Sequence, residues 1–191
     1  AVMVAAQLVV APVLAYYFLK DANTLKTAVT LPFPAASRRK VRLAIDEISD
    51  ALSAYVRGQV VVSIIVGFLV FVGMYVMKVE YPLILGLLAA ITETIPIVGP
   101  IIGAIPAIIL AYIASPVLAL KVTIFYIVIQ QLENHIIFPK IMGANSELHP
   151  VVIIISLLIG GQLLGIVGMW LAVPVVAVLR VVLKYLWNDE E

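Results

Sequence analysis

The feature that most constrains this chain is a series of apolar runs long enough to cross a lipid bilayer. From Gln59 to Met77 no residue carries a charge, and a membrane helix needs about 20 mostly apolar residues. Charged residues make up 12% of the 191-residue chain, whereas they make up roughly a quarter of an ordinary globular domain. We therefore predict an all-α integral membrane protein, a polytopic helical bundle in contact with the lipid bilayer.

Charge and hydropathy divide the sequence into three parts. Residues 1–19 predict a transmembrane helix, residues 20–57 a cytoplasmic amphipathic segment whose helix ends near Gly58, and residues 58–191 a transmembrane core. Basic residues favour the cytoplasmic side of a membrane. Seven of the twelve Lys and Arg residues lie in the middle part of the chain: Lys20, Lys26, Arg38, Arg39, Lys40, Arg42 and Arg57.

The N-terminus and the overall composition narrow the classes of protein. The chain starts inside an apolar run at Ala1, without an initiator methionine, and it matches a secretory signal peptide poorly. We therefore expect it to be the C-terminal part of a longer protein with membrane segments upstream. The net charge of +1 gives no indication of a nucleic-acid partner. The chain contains no cysteine, so it can form neither disulfides nor thiolate metal sites.

Two apolar stretches of the core, residues 82–114 and 150–187, are interrupted by proline and glycine. Each is predicted to form a helical hairpin with a break in the middle. The prolines that flank the breaks are spaced by the same 24 residues, from Pro82 to Pro106 and from Pro150 to Pro174. The residues that interrupt the two stretches are Pro96, Gly99 and Pro100 in the first, and Gly160, Gly161, Gly165 and Gly168 in the second.

Broken helices inside a membrane indicate a polar cavity. Lipid cannot hydrogen-bond the backbone groups that Pro and Gly release, so such breaks persist where protein or water satisfies them. Paired short apolar segments interrupted by Gly and Pro are also typical of the central site of a transporter. The hairpins therefore favour transport as the function of this bundle.

Glu93 is the strongest single candidate for a functional residue. A carboxylate at membrane depth costs several kcal/mol unless it is paired, protonated or solvated in a cavity. The alternative is an interfacial residue at the tip of the hairpin that caps a helix.

The segment IQQLENH supplies a second group of candidates. Gln130, Glu133 and Asn134 are spaced to share one helical face, where amide and carboxylate groups can receive a polar solute or a cation. Equally open is a structural role as hydrogen bonds between helices. Gln131 and His135 share another face, and no second His or Cys stands at the spacing of a metal site.

The remaining polar and glycine positions are less specific. Gly160, Gly161 and Gln162 either open a broken helix or allow close helix packing, and Lys121 is expected to extend toward the membrane surface. The predicted transport path comprises Glu93, Pro96, Gly99, Gln130, Glu133, Asn134, Gly160, Gly161 and Gln162. Signatures of hydrolases, zinc proteases and phosphate-binding loops do not occur, so we expect no enzyme activity, no catalytic residues, no metal and no cofactor.

Five blocks in fixed order carry a family resemblance. YVRGQ at Tyr55 is followed by ETIPIVGPIIGAIPA, IQQLENHIIFPKIMG, LHPVVIIISLLIGG and GIVGMWLAVPVVAVL. Together they resemble the C-terminal half of the autoinducer-2 exporter family of bacterial membrane transporters, over nearly the whole chain. The resemblance implies a multi-pass protein of the bacterial inner membrane that is about twice as long as this chain.

The resemblance implies transport and leaves the substrate open. Export of a small polar solute, such as a furanone-type quorum signal, by alternating access is the preferred expectation. Exchange of a monovalent cation for protons is the alternative, and it requires titration of Glu93 or Glu133. A third hypothesis is a scaffold subunit that transports nothing, in which the polar groups serve packing. Assembly into a homo-oligomer is also anticipated.

Overall fold

The computed structural model of the protein describes residues 22–142 and 149–187, and these residues form helices and connecting turns without a β-strand. The predicted transmembrane helix at residues 1–19 lies outside the described residues. The helices are α1 (Ala22–Thr30), α2 (Ala35–Val76), α3 (Pro82–Thr92), α4 (Val98–Ala114), α5 (Pro116–Leu132), α6 (Phe138–Met142) and α7 (Pro150–Trp187), with a π-helical segment, Glu133–Ile137, between α5 and α6. The all-helical prediction is confirmed.

Helix α2 is one continuous helix of 42 residues. The sequence predicted that an amphipathic helix ends near Gly58, and this boundary is wrong because the helix continues through that glycine. Gly58 serves close packing instead, since a Cβ at this position would overlap the sulfur of Met142. A glycine that ends a helix usually adopts positive φ, and within the described residues Gly165 is the glycine that does so.

The chain divides into two compact units. The described part of the smaller unit consists of residues 22–50 and 180–187. Two ion pairs hold its segments together: Lys26 Nζ lies 2.6 Å from Asp46 Oδ1, and Lys184 Nζ lies 2.7 Å from Glu47 Oε1. All four side chains are at least 30% exposed, so each pair stabilises the unit only modestly.

The larger unit, described at residues 51–142 and 149–179, contains the main core. Val62, Val66, Val70 and Met74 recur every four residues along α2 and are at most 3% exposed, which places them on one face of the helix. This face packs against α3, α4 and α5 through small and branched side chains. Close approach of α2 and α3 depends on Gly67, where a Cβ would lie 2.8 Å from the carbonyl oxygen of Gly86.

Helices α3 and α4 pack against each other on either side of a five-residue turn. The turn contains Pro96, which has no N–H to continue α3, and Ile97, whose φ of 67° reverses the backbone. Gly99 and Pro100 were predicted to belong to this break. They lie instead in the first turn of α4, where the missing N–H of a proline does no harm because that group has no helical partner.

Helix α7 is interrupted at Gly165, whose φ and ψ are 61° and −138°. A Cβ on Gly160 would overlap the backbone of Gly168, yet eight residues of straight helix span about 12 Å. The chain therefore folds back at Gly165. Of the four glycines predicted to interrupt this segment, Gly165 forms the break. Gly160 and Gly161 are helical and do not open the helix, which leaves the alternative that they allow close packing.

Three helical stretches are long and apolar enough, by length and composition, to cross a membrane: Ser37–Val76, Pro116–Met142 and Val151–Trp187. The third is divided by the fold at Gly165. Helices α3 and α4 are apolar but shorter. Large apolar side chains remain exposed on all of these stretches, including Ile113 at 76% and Leu163 at 75%. Such surfaces need an apolar surrounding, and the lipid bilayer supplies it.

Candidate functional site: a buried carboxyl pair

Glu93 stands where α3 ends, and it is 1% exposed. Its backbone N–H still donates to Ala89 at 2.9 Å, so the residue keeps its helical position. Because Pro96 and Ile97 stop the helix, the carbonyl of Glu93 is free to accept a hydrogen bond from another element. Gln59 of α2 provides that bond, with its Nε2 atom 2.6 Å from the carbonyl oxygen.

Glu133 begins the π-helical segment and is 8% exposed. Gln130, one turn earlier on α5, donates from Nε2 to Glu133 Oε2 at 3.1 Å. Segments of π-helix are rare and often occur at functional sites. Here the segment coincides with a buried carboxyl group.

Glu93 and Glu133 are neighbouring buried acids. Both line one cavity of about 10 Å³, which is room for about one water molecule. No Lys, Arg or His in the described ranges forms an ion pair with either carboxyl group. The other residues that line the cavity are Val66, Ala89, Pro100, Gly103, Tyr126, Ile129 and Gln130.

The chemistry of this arrangement follows from its charges. Two carboxylates side by side in a low-dielectric interior repel each other. The pair is therefore stable when it holds a proton or a cation between its oxygens. Carboxylate and amide oxygens are the ligands that hard cations prefer, and Gln130 adds an amide to the two acids. Such a site can hold either species, and release of one permits binding of the other.

The structure brings together three of the residues predicted from the sequence: Glu93, Gln130 and Glu133. Asn134 is exposed and does not line the cavity, because the π-helical segment changes the spacing on which its predicted position relied. Pro96 shapes the turn and Gly99 opens α4, and neither lines the cavity.

The second predicted group of residues lies elsewhere. Gly160 packs against Gly168, and a Cβ on Gly161 would meet the Met169 side chain. Gln162 is exposed near the turn at Gly165. The two hairpins contact each other through the apolar side chains of Ile95, Leu157 and Ala172, not through the predicted polar residues.

Two residues of the site were missed in the sequence. Gln59 is 7% exposed and lies next to Glu93, although the run that it begins was interpreted only as a membrane span. Tyr126 lines the cavity and donates from its hydroxyl to the carbonyl oxygen of Gly103 at 3.3 Å. Gln59 could have been recognised as a candidate because it is a polar residue in an apolar run. The sequence around Tyr126 gives no comparable indication of a role in the site.

The described part of the chain contains no cluster of side chains suited to hold a resident metal ion. No group of three or more His, Cys, Asp or Glu side chains is close enough there to hold one. An all-helical bundle with apolar outer surfaces and an acid pair sealed inside defines a polytopic membrane protein with an internal polar site.

Comparison with known proteins gives the family. The model of the AI-2E family transporter matches residues 1–188, and the chain belongs to this family. It is 41% identical to "Putative transport protein YrrI" of Bacillus subtilis over 90% of this chain and 49% of that protein. It is 37% identical to "Putative transport protein YueF" of the same organism over 91% of this chain and 47% of that protein.

A third relative carries a more specific name. The chain is 32% identical to "AI-2 transport protein TqsA" of Escherichia coli over 74% of this chain and 41% of that protein. The chain spans about half the length of the curated relatives it matches. The resemblance found in the sequence motifs is confirmed, and the family is one of transporters.

Proposed function

We propose that this chain is part of a transporter that exchanges a monovalent cation for protons at the Glu93 and Glu133 pair. The observation that carries the proposal is the burial of two adjacent carboxyl groups without a basic partner in the described residues. Intramembrane carboxyl groups of this kind mark ion and proton pathways. The host membrane that we propose is the bacterial inner membrane.

The size of the cavity supports a small ligand. Free space of about 10 Å³ suits a water molecule or a bare ion rather than an organic solute. Exchange follows if a proton and a cation compete for the same oxygens, since binding of one then displaces the other. Alternating access would expose the pair to each side of the membrane in turn.

Export of a small polar solute is the second candidate. It is favoured by the name of TqsA, an AI-2 transport protein, and by the two interrupted hairpins. In that case the acid pair would carry the coupling proton, and a larger cavity would form in another conformation. We rank cation exchange first because the present cavity has little free space.

The test is a flux assay on the full-length protein in proteoliposomes. We expect a sodium or lithium gradient to drive proton movement, reported by a pH-sensitive dye inside the vesicles. Glu93→Gln and Glu133→Gln should each abolish this movement, because an amide cannot exchange a proton. Glu80→Gln, at an exposed carboxylate, is the matched control and should keep it.

The outcomes separate the candidates. Wild-type protein that moves a furanone-type signal, but not protons in response to sodium or lithium, would replace cation exchange by solute export. Wild-type protein that moves neither would contradict both and leave the scaffold hypothesis. Equal activity of the wild type and both Gln variants would remove the carboxyl pair from the mechanism.

A further inference from the structure

Four buried side-chain oxygens lack a hydrogen-bond partner within the described ranges. They are Tyr55 Oη, Gln59 Oε1, Ser63 Oγ and Glu93 Oε1. Three of them belong to α2 and recur every four residues, so they lie along one face of that helix. These three residues form a polar file on α2, next to and within a membrane run that is otherwise apolar.

This polar file leads to the carboxyl pair. Its middle member, Gln59, is fixed beside Glu93 by the 2.6 Å hydrogen bond to the Glu93 carbonyl oxygen. Ser63 is one helical turn further along α2, and Val66, the next residue on this face, lines the cavity that holds both carboxyl groups. Tyr55 is one turn from Gln59 in the opposite direction, toward the end of α2 that carries the basic cluster.

Burial without partners needs a physical explanation. A buried hydroxyl or amide that forms no hydrogen bond costs free energy, and native proteins satisfy nearly all such atoms with protein or ordered water. Gln59, Ser63 and Glu93 are at most 7% exposed. A bridging water with several polar neighbours is the usual solution at sites like these.

We propose that Tyr55, Gln59 and Ser63 form a hydrated path along α2 that brings water, and with it protons, to the carboxyl group of Glu93. Each side chain can both accept and donate a hydrogen bond, so a file of waters between them can be continuous. The role of this path in proton supply rests on the proposed exchange function, whereas its hydration does not.

The experiment measures water access directly. Cysteine is absent from this chain, so single cysteines can be introduced into the full-length protein after any cysteine elsewhere has been replaced. Silver ion is the probe, because it is small, travels through water and binds thiolates. Reaction is read as the loss of later maleimide labelling in denaturant, which does not depend on transport.

Ser63→Cys should react rapidly with silver ion in the folded protein. Val70→Cys is the matched control, because Val70 lies on the same face of α2, is 0% exposed and belongs to the apolar core. It should react at least about tenfold more slowly, as expected from the cost of moving an ion into an apolar surrounding. Equal rates at the two positions would overturn the hydrated path.

A second arm tests proton supply. Ser63→Val should slow proton movement by about tenfold, the effect expected when one hydrogen-bonding link of the file is lost. Thr123→Val is the control, because the Thr123 hydroxyl already donates to the carbonyl oxygen of Ala119 within α5 and lies off the path. Equal flux in the two variants would remove the path from proton supply.

The two proposals fail separately. Silver access at Ser63→Cys without cation exchange in the wild type would keep the hydrated path and overturn the proposed function. Exchange in the wild type without preferential silver access would overturn the path and keep the proposed function.

Discussion

The Gln59 side chain satisfies a backbone carbonyl group that the end of α3 leaves without a helical partner. The turn after Glu93 frees the Glu93 carbonyl from helical bonding, and the Gln59 amide donates to it across 34 residues of sequence. This hydrogen bond joins α2 to the end of α3. The orientation of Glu93 in the cavity therefore depends on α2 as well as on α3.

Gln59→Leu tests this contact by removing the donor while nearly keeping the volume. We expect the variant to lose about 1 to 2 kcal/mol of unfolding free energy, measured by chemical unfolding in detergent. Gln131→Leu is the matched control, since Gln131 is exposed and its side chain makes no hydrogen bond to another described residue. A loss of similar size in both variants would show that the Gln59 contact contributes nothing specific.

Sequence reasoning at the residue scale identified both acids, on different grounds. Glu93 was predicted because a carboxyl group is costly in a membrane, and Glu133 because its spacing places it on one helical face with Gln130; both acids line one cavity. It failed for Asn134, which was placed by ideal helical spacing, because a π-helical segment at Glu133–Ile137 cannot be recognised from such a short stretch. The Gln59 contact joins two helices, and no local pattern encodes it.

At the scale of elements, the two hairpins turn by different means. The first uses a turn with Pro96 and a positive φ at Ile97, and the second uses one glycine, Gly165. Both interrupted stretches could be predicted from the sequence. Pro96 and Gly165 were among the residues predicted to interrupt them, but the sequence did not distinguish these two from Gly99, Gly160 and Gly168, where space rather than φ requires glycine.

The variants Gly99→Ala and Gly165→Ala distinguish the need for space from the need for a positive φ. A Cβ on Gly99 would overlap the carbonyl oxygen of Thr92, whereas a Cβ on Gly165 would meet nothing within 4 Å. Gly165→Ala should cost about 1 to 3 kcal/mol, because residues with a Cβ rarely adopt a φ of 61° with a ψ of −138°. Gly99→Ala should cost more, because the backbone of the first hairpin must shift.

Thermal unfolding in detergent and the yield of folded protein would measure the difference. If Gly99→Ala were as stable as the wild type while Gly165→Ala unfolded at a lower temperature, the close approach of α3 and α4 would not be required for folding.

At the scale of the whole molecule, the sequence predicts orientation through charge. Seven of the twelve basic residues lie between Lys20 and Arg57, and this segment is expected on the cytoplasmic side. Ser115, which joins α4 to α5, is expected on the opposite side.

Cysteine labelling of intact cells tests that orientation. An impermeant thiol reagent should leave Ser37→Cys unlabelled and should label Ser115→Cys, while both positions should react after the cells are permeabilised. Labelling of Ser37→Cys in intact cells at the level of Ser115→Cys would reverse the predicted orientation.

The fold at Gly165 has a consequence for how the protein enters its membrane during synthesis. From Val151 to Leu179 no residue carries a charge, and moving a charged side chain to the middle of the bilayer costs about 2.5 to 3.5 kcal/mol by insertion scales. The hairpin can therefore enter the bilayer from one side as a single unit, with no charged group to carry across. Arg180 and Lys184 follow directly, so we expect them to oppose deeper entry of the hairpin.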